Sequence, residues 1–103
     1  TYGVDFVSKV AANVVSQEED VRDVLAKVQL GEADAGIVYV SDAFTVKDKV
    51  RQIAIADPVN PTATYPIAPT TGGNLDLANA FIAYVLSPQG QQTLADYGFA
   101  PVS

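Results

Sequence analysis

The segment from Ser16 to Val40 places an amphipathic helix directly before a short apolar run, and this pairing constrains the fold more than any other feature. Ser16 and Glu19 have the S-x-x-E spacing of a capping box, which predicts a helix start. Apolar residues then recur at helical spacing as far as Gly31, so we predict a helix over residues 17–30. Residues 35–40 (AGIVYV) are long enough for one buried strand. A helix followed by a buried strand is typical of an α/β domain.

Three further segments have the composition of extended chain. Residues 10–15 (VAANVV) and residues 50–56 predict two more short strands. Residues 62–68 predict an extended stretch that Pro66 interrupts, and a proline there suits a sheet edge or a crossover between two lobes. The predicted class is therefore α/β rather than all-α.

The C-terminal third predicts two consecutive helices. Asn74 is a good N-cap for a helix that runs to about Leu86. Ser87 and Pro88 form a cap followed by a proline at the first helical position, which predicts a second helix. We expect that helix to end near residue 97, because Gly98 is a natural stop.

Composition excludes several classes of function. The 103 residues hold 6 Lys+Arg against 12 Asp+Glu, and every basic residue lies at or before Arg51. This argues against a nucleic-acid partner, which needs clustered cations. The absence of Cys and His removes thiol nucleophiles, imidazole bases and the usual zinc ligands. No poised carboxylate pair stands out either, so we predict a binding module rather than an enzyme, with no cofactor.

The composition and motifs of the sequence do not show whether the protein is exported. No apolar run approaches the roughly 20 residues of a membrane-spanning helix. No signal peptide is visible, so a targeting segment of an exported protein is expected to lie outside this sequence.

Two stretches resemble the periplasmic molybdate-binding proteins of ABC importers. The more specific one is VRDVLAKVQLGEADAGIVYVSDA, residues 21–43. The other, FIAYVLSPQGQQTLADYGFAPV at residues 81–102, has an ending that is shared more widely among solute-binding receptors. Together with the residues between them, the resemblance covers nearly the whole sequence.

The resemblance implies part of a two-lobe, type II periplasmic-binding-protein fold of the α/β class. Residues 1–65 would belong to lobe two, and residues 66–103 would form the crossover and the C-terminal helices of lobe one. Members of the family are roughly twice as long, so the resemblance implies a fragment with an incomplete site. It also implies a periplasmic or extracellular location and a membrane permease of an ABC transporter as partner.

The resemblance places two ligand donors in this sequence. One is the backbone N–H of Val21, and the other is the hydroxyl of Tyr39 in the stretch G-I-V-Y. The implied ligand is molybdate or tungstate, with no metal beyond that oxyanion. Such a dianion needs no cation, because helix N-termini offer unpaired N–H donors and a partial positive charge.

Several alternatives remain open at this stage. Tyr39 at the end of an apolar run is also compatible with a core residue that has a tethered hydroxyl. Glu18, Glu19 and Asp20 crowd the turn where an anion would bind. Either they point away from the ligand, for example with Glu19 folded back in a capping box, or the protein is a weak anion binder. Sulfate or another anion is an alternative ligand, and an α/β enzyme domain is the less favoured class.

The two lobes are each incomplete if the predicted crossover is right. Apolar faces that normally pack on missing strands would then be exposed to water, which costs about 25 cal/mol per Å². We therefore predict a homo-oligomer of this chain.

Overall fold

A computed structural model describes residues 3–102, and all the regular secondary structure in that range is helical. The helices are α1 (Val4–Ala12), α2 (Val21–Gln29), α3 (Val40–Phe44), α4 (Leu75–Leu86) and α5 (Pro88–Asp96), with one 3-10 turn at Asp57–Val59. The chain divides into two compact units, the first ending at Val50 and the second beginning at Arg51. The expected lobe boundary at residues 65/66 concerns a longer two-lobe fold and stays a prediction.

The predicted strands are wrong for the residues that the structure describes. Residues 10–12 of the first belong to α1, and the other predicted strands, at residues 35–40 and 50–56, have no strand pairing. Val40 instead opens α3. A strand exists only when another strand satisfies its backbone N–H and C=O groups, and no such partner lies within the described range. The described residues therefore do not have the α/β architecture expected from the apolar runs.

Helix α1 is an element that the sequence did not lead us to expect. It begins after Gly3, whose φ of 75° suits glycine, and it has Asp5 in its first turn and Lys9 in its last. These charges complement the helix dipole and stand four residues apart. That spacing is the signal that could have revealed α1.

Helix α2 starts later than predicted, at Val21 rather than residue 17. Its N-cap is Asp20, whose carboxylate accepts the backbone N–H of Arg22 at 2.8 Å. The predicted capping box of Ser16 and Glu19 is wrong, because Ser16 Oγ donates to the carboxylate of Glu18 instead.

The end of α2 is as predicted. Gly31 adopts a φ of 74°, and its N–H donates to the carbonyl of Val28 at 3.1 Å. The N–H of Glu32 donates to the carbonyl of Lys27 at 2.9 Å, which completes a Schellman motif.

The two C-terminal helices confirm their predicted caps. Asn74 Oδ1 accepts the N–H of Leu77 at 2.9 Å, and Ser87 Oγ accepts the N–H of Gly90 at 3.2 Å. Gly98 ends α5 with a φ of 87°. Helices α4 and α5 pack against each other, and Gly90 is buried where they meet.

Burial is sparse in both units. The buried apolar side chains of the described residues are Leu25 and Ala43, each 7% exposed. The chain exposes 8934 Å², whereas two compact bodies of half its mass would together expose about 6,700 Å². Each unit therefore presents apolar surface that its own residues do not cover.

Candidate anion-binding site

The start of α2 leaves one backbone donor open. The N–H groups of Asp23 and Val24 donate to the carbonyl of Asp20 at 3.1 and 3.4 Å, and the N–H of Arg22 donates to the Asp20 carboxylate. The N–H of Val21 has no acceptor among the hydrogen bonds of the described residues. Val21 is half-buried at the first position of the helix, where the dipole is positive.

Two of the acidic residues before α2 accept hydrogen bonds from neighbouring groups. Hydrogen bonds from the backbone N–H and then the side chain of Arg22 lower the pKa of the Asp20 carboxyl. The Arg22 guanidinium lies 3.4 Å from that carboxylate. Glu18 is turned toward Ser16, and this hydrogen bond, assisted by Lys27, lowers the pKa of its carboxyl. Two of the three carboxylates that crowd the site are thus bound by neighbouring donors.

Tyr39 is the N-cap of α3. Its backbone carbonyl accepts the N–H groups of Asp42 and Ala43, both at 3.1 Å. Tyr39 is 53% exposed, which argues against the alternative that it is a core residue of this unit. A ring exposed to this degree is accessible to a ligand.

Both expected donors therefore lie at helix starts in the same unit. Helices α2 and α3 pack against each other, so Val21 and Tyr39 are carried by contacting elements. Their roles as ligand donors stay predictions.

Asp42 is the acidic residue nearest to Tyr39 in the sequence. It stands in the first turn of α3, three residues after Tyr39. Its Oδ2 is shielded from solvent and has no hydrogen-bond partner. A carboxylate oxygen accepts hydrogen bonds and repels anions, so Asp42 is not a direct oxyanion ligand.

Lys27 lies in the last turn of α2, and two carboxylates already surround it. Its Nζ lies 3.3 Å from Glu32 and 3.5 Å from Glu18. The hydrogen bond to Glu32, followed by the charges of Glu18 and Glu32, raises the pKa of the Lys27 ammonium. An anion bound nearby would compete with two carboxylates for Lys27.

The first unit also contains a cavity of about 690 Å³. Its wall is formed by one side of α1, residues 13–18, one side of α2, residue 33 and residues 35–37. Val10, Val15, Val24 and Ile37 give it an aliphatic character. Neither Val21 nor Tyr39 belongs to its lining, so this cavity is separate from the expected oxyanion donors.

The described part of the chain shows neither a metal-binding cluster nor a membrane-spanning helix. Residues 3–102 contain no group of three or more carboxylates placed to hold a metal ion. Over the same range, no helix combines the length and the apolar character that crossing a membrane requires.

Comparison with known proteins decides the family. The profile described as bacterial extracellular solute-binding protein matches residues 2–100. The chain belongs to this solute-binding protein family. Membership of a family described as solute-binding agrees with the prediction of a binding module rather than an enzyme.

Two relatives of the chain are both molybdate-binding proteins. The chain is 38% identical over 101 residues to the molybdate-binding protein ModA of Mycobacterium bovis. The match covers 97% of this chain and 39% of that protein. It is 37% identical over 81 residues to the molybdate-binding protein ModA of Escherichia coli, covering 79% of this chain and 32% of that protein. The chain thus spans about two fifths or less of the length of these relatives. No solved structure matches the chain significantly.

Proposed function

We propose that this chain is part of the substrate-binding component of an ABC importer for molybdate or tungstate. The observation that carries the proposal is the 38% identity over 101 residues to a protein described as molybdate-binding. That match covers 97% of the chain, so it takes in nearly all of both stretches that carry the resemblance.

In this proposal the N–H of Val21 and the hydroxyl of Tyr39 donate to the oxyanion. The open N–H at the start of α2 supports the first role, and the exposure of Tyr39 supports the second. Donors that carry no charge suit a fully ionised dianion, because a protonated ligand would place its own O–H against them. The proposal also includes a two-lobe α/β fold, a periplasmic location and a membrane permease as partner.

Two donors do not form a complete site. Each hydrogen bond contributes roughly 0.5–1.5 kcal/mol, or up to about 3 kcal/mol with a charged acceptor, while association costs about 4 kcal/mol or more. We therefore expect the chain by itself to bind molybdate no more tightly than about millimolar. Calorimetry with sodium molybdate tests this expectation, and micromolar binding by the chain alone would contradict it.

The function itself is tested in a chimera. The aligned 101 residues of the Mycobacterium bovis relative are replaced by those of this chain, and the product is titrated with molybdate, tungstate and sulfate. We expect tight binding of molybdate and tungstate, which share charge and shape, and much weaker binding of sulfate. A folded chimera that binds none of the three, or sulfate best, would contradict the proposal.

A further inference from the structure

Gly36 lies where the chain between α2 and α3 passes directly against α2. A β-carbon at this position would lie 2.5 Å from Cγ1 of Val24 and 3.3 Å from Cγ2 of Val28. Carbon atoms in contact are ordinarily about 3.5–4.0 Å apart, so there is no room for a side chain. Gly36 is not among the glycines with positive φ, and the requirement is therefore one of space rather than of backbone conformation.

Val24 cannot easily move aside. Its side chain is branched at the β-carbon, and such side chains have essentially one χ1 rotamer in a helix. A methyl group at position 36 would therefore displace the backbone of the segment, by about 1 Å if normal carbon contacts are restored.

The same segment is held on α2 a second time, further along. Helix α3 packs on α2, and the buried side chains Leu25 and Ala43 lie one on each helix. In the sequence, Tyr39 stands between Gly36 and Ala43, the buried residue of α3. Val24 in turn follows Val21 by three residues, which is less than one helical turn. Displacing Gly36 from Val24 therefore changes where Tyr39 lies relative to the start of α2.

We propose that Gly36 is a positioning residue of the oxyanion site, which holds Tyr39 at a fixed offset from Val21 by letting the segment lie directly on α2. This inference rests on the proposed function. It predicts that a larger residue at position 36 weakens ligand binding by moving Tyr39. The size of the side chain at position 24 should then determine how much affinity is lost.

The experiment uses the chimera that contains this chain, with molybdate as the probe. Gly36→Ala should weaken binding about tenfold or more, which is the range for losing one hydrogen bond to a charged group. Gly36→Ala combined with Val24→Ala should recover most of that affinity, because Val24→Ala removes the methyl groups that the new side chain meets. Val24→Ala alone is the matched control, and the affinity of the double variant is compared with that of this single variant.

A second pair of variants tests whether the effect passes through Tyr39. If it does, Gly36→Ala should cost little further affinity in a protein that already carries Tyr39→Phe, because the hydroxyl is gone. A merely structural role would instead give additive losses. Val24→Ile, which adds a methylene on the other side of the same contact, covers the case in which Gly36→Ala fails to fold and should weaken binding in the same direction.

The outcomes separate this inference from the proposed function. A folded chimera that binds no molybdate would overturn both. A chimera that binds molybdate, and whose folded Gly36→Ala or Val24→Ile variant binds equally well, would overturn the inference alone. Additive losses for Gly36→Ala and Tyr39→Phe would also overturn it.

Discussion

Each unit of the molecule brings one glycine against a helix, but the atoms opposite the two glycines differ. Gly36 in the first unit faces the side chains of Val24 and Val28. Gly90 in the second faces backbone, since a β-carbon there would lie 2.7 Å from the carbonyl oxygen of Val85 and 2.9 Å from its Cα. A side-chain neighbour can be trimmed by substitution, whereas a backbone neighbour cannot. The first contact is therefore adjustable and the second is fixed.

The largest effect is expected from the uncovered surface of the second unit. On α4, the residues Leu77, Phe81 and Tyr84 form a stripe at helical spacing and are 69%, 60% and 54% exposed. The chain exposes over 2,000 Å² more than two compact bodies of half its mass would. A standard interface needs only about 800 Å² from each partner. We expect the chain to form a dimer or larger oligomer through this stripe.

Light scattering coupled to size exclusion at micromolar concentration measures this association. Leu77→Glu should shift the chain toward monomer, while Val7→Glu in α1 should not, although both residues are 69% exposed. Helix α1 differs because it already carries Asp5 and Lys9, whereas Asp76 is the one charged residue of α4. A monomer peak with cooperative melting of the unsubstituted chain would show that the expectation is wrong.

The next prediction concerns stability and the contact of Gly90 with backbone atoms. Gly90→Ala should lower the free energy of unfolding by about 1–3 kcal/mol, because the added methyl group forces α4 and α5 apart. Unlike Gly36→Ala, it should not be rescued by trimming any side chain. Urea titration monitored by circular dichroism measures the loss. Stability equal to that of the parent would mean that the two helices meet differently.

Substitution of one tyrosine in each unit tests whether the first unit provides the ligand donor. In the chimera, Tyr39→Phe should weaken molybdate binding by about 1.5–3 kcal/mol and leave the melting temperature nearly unchanged. Tyr84→Phe is the matched control, since Tyr84 is 54% exposed against 53% for Tyr39. It should leave affinity unchanged. If Tyr39→Phe lowers melting but not affinity, then Tyr39 is a packing residue.

The smallest effect concerns the helix caps. Ser87→Ala removes the cap of α5 and should cost about 0.5–2 kcal/mol at any pH. The cap of α2 is Asp20, whose pKa is lowered in the folded chain. Its contribution is present above the unfolded pKa of about 4, and it is lost as the pH falls through the lower folded value.

Glu18 carries a pKa shift of the same sign, so the acid response of the first unit includes both carboxyls. The chemical shifts of the α2 amides should therefore report fraying of this helix below about pH 4. The chemical shifts of the α5 amides should stay unchanged. Fraying of both helices over the same pH range would contradict this difference between the caps.

The sequence predicted helices better than it predicted strands, for a physical reason. Asn74, Ser87 and Gly98 act on backbone groups within a few residues, so their signals are local. The apolar runs at residues 35–40 and 50–56 depend on partners far along a chain, and none is present among the described residues. Asp20 replaced Ser16 as the cap of α2 because Ser16 is bound to Glu18.

For the candidate site, the sequence supplied Val21 and Tyr39 only through resemblance to a family. Periodicity and spacing alone did not distinguish them from a helix start and a core tyrosine. The close approach of Gly36 to α2 could not be foreseen either, since it depends on how residues far apart in sequence pack.

The boundary between the units coincides with the last basic residue. Arg51 is exposed, lies outside any helix and opens the second unit, and no lysine or arginine follows it. Trypsin cleaves after these residues, preferably in exposed chain. Brief digestion should therefore release residues 52–103 as one resistant peptide that carries α4 and α5, so the second unit can be isolated from the first by a single enzyme.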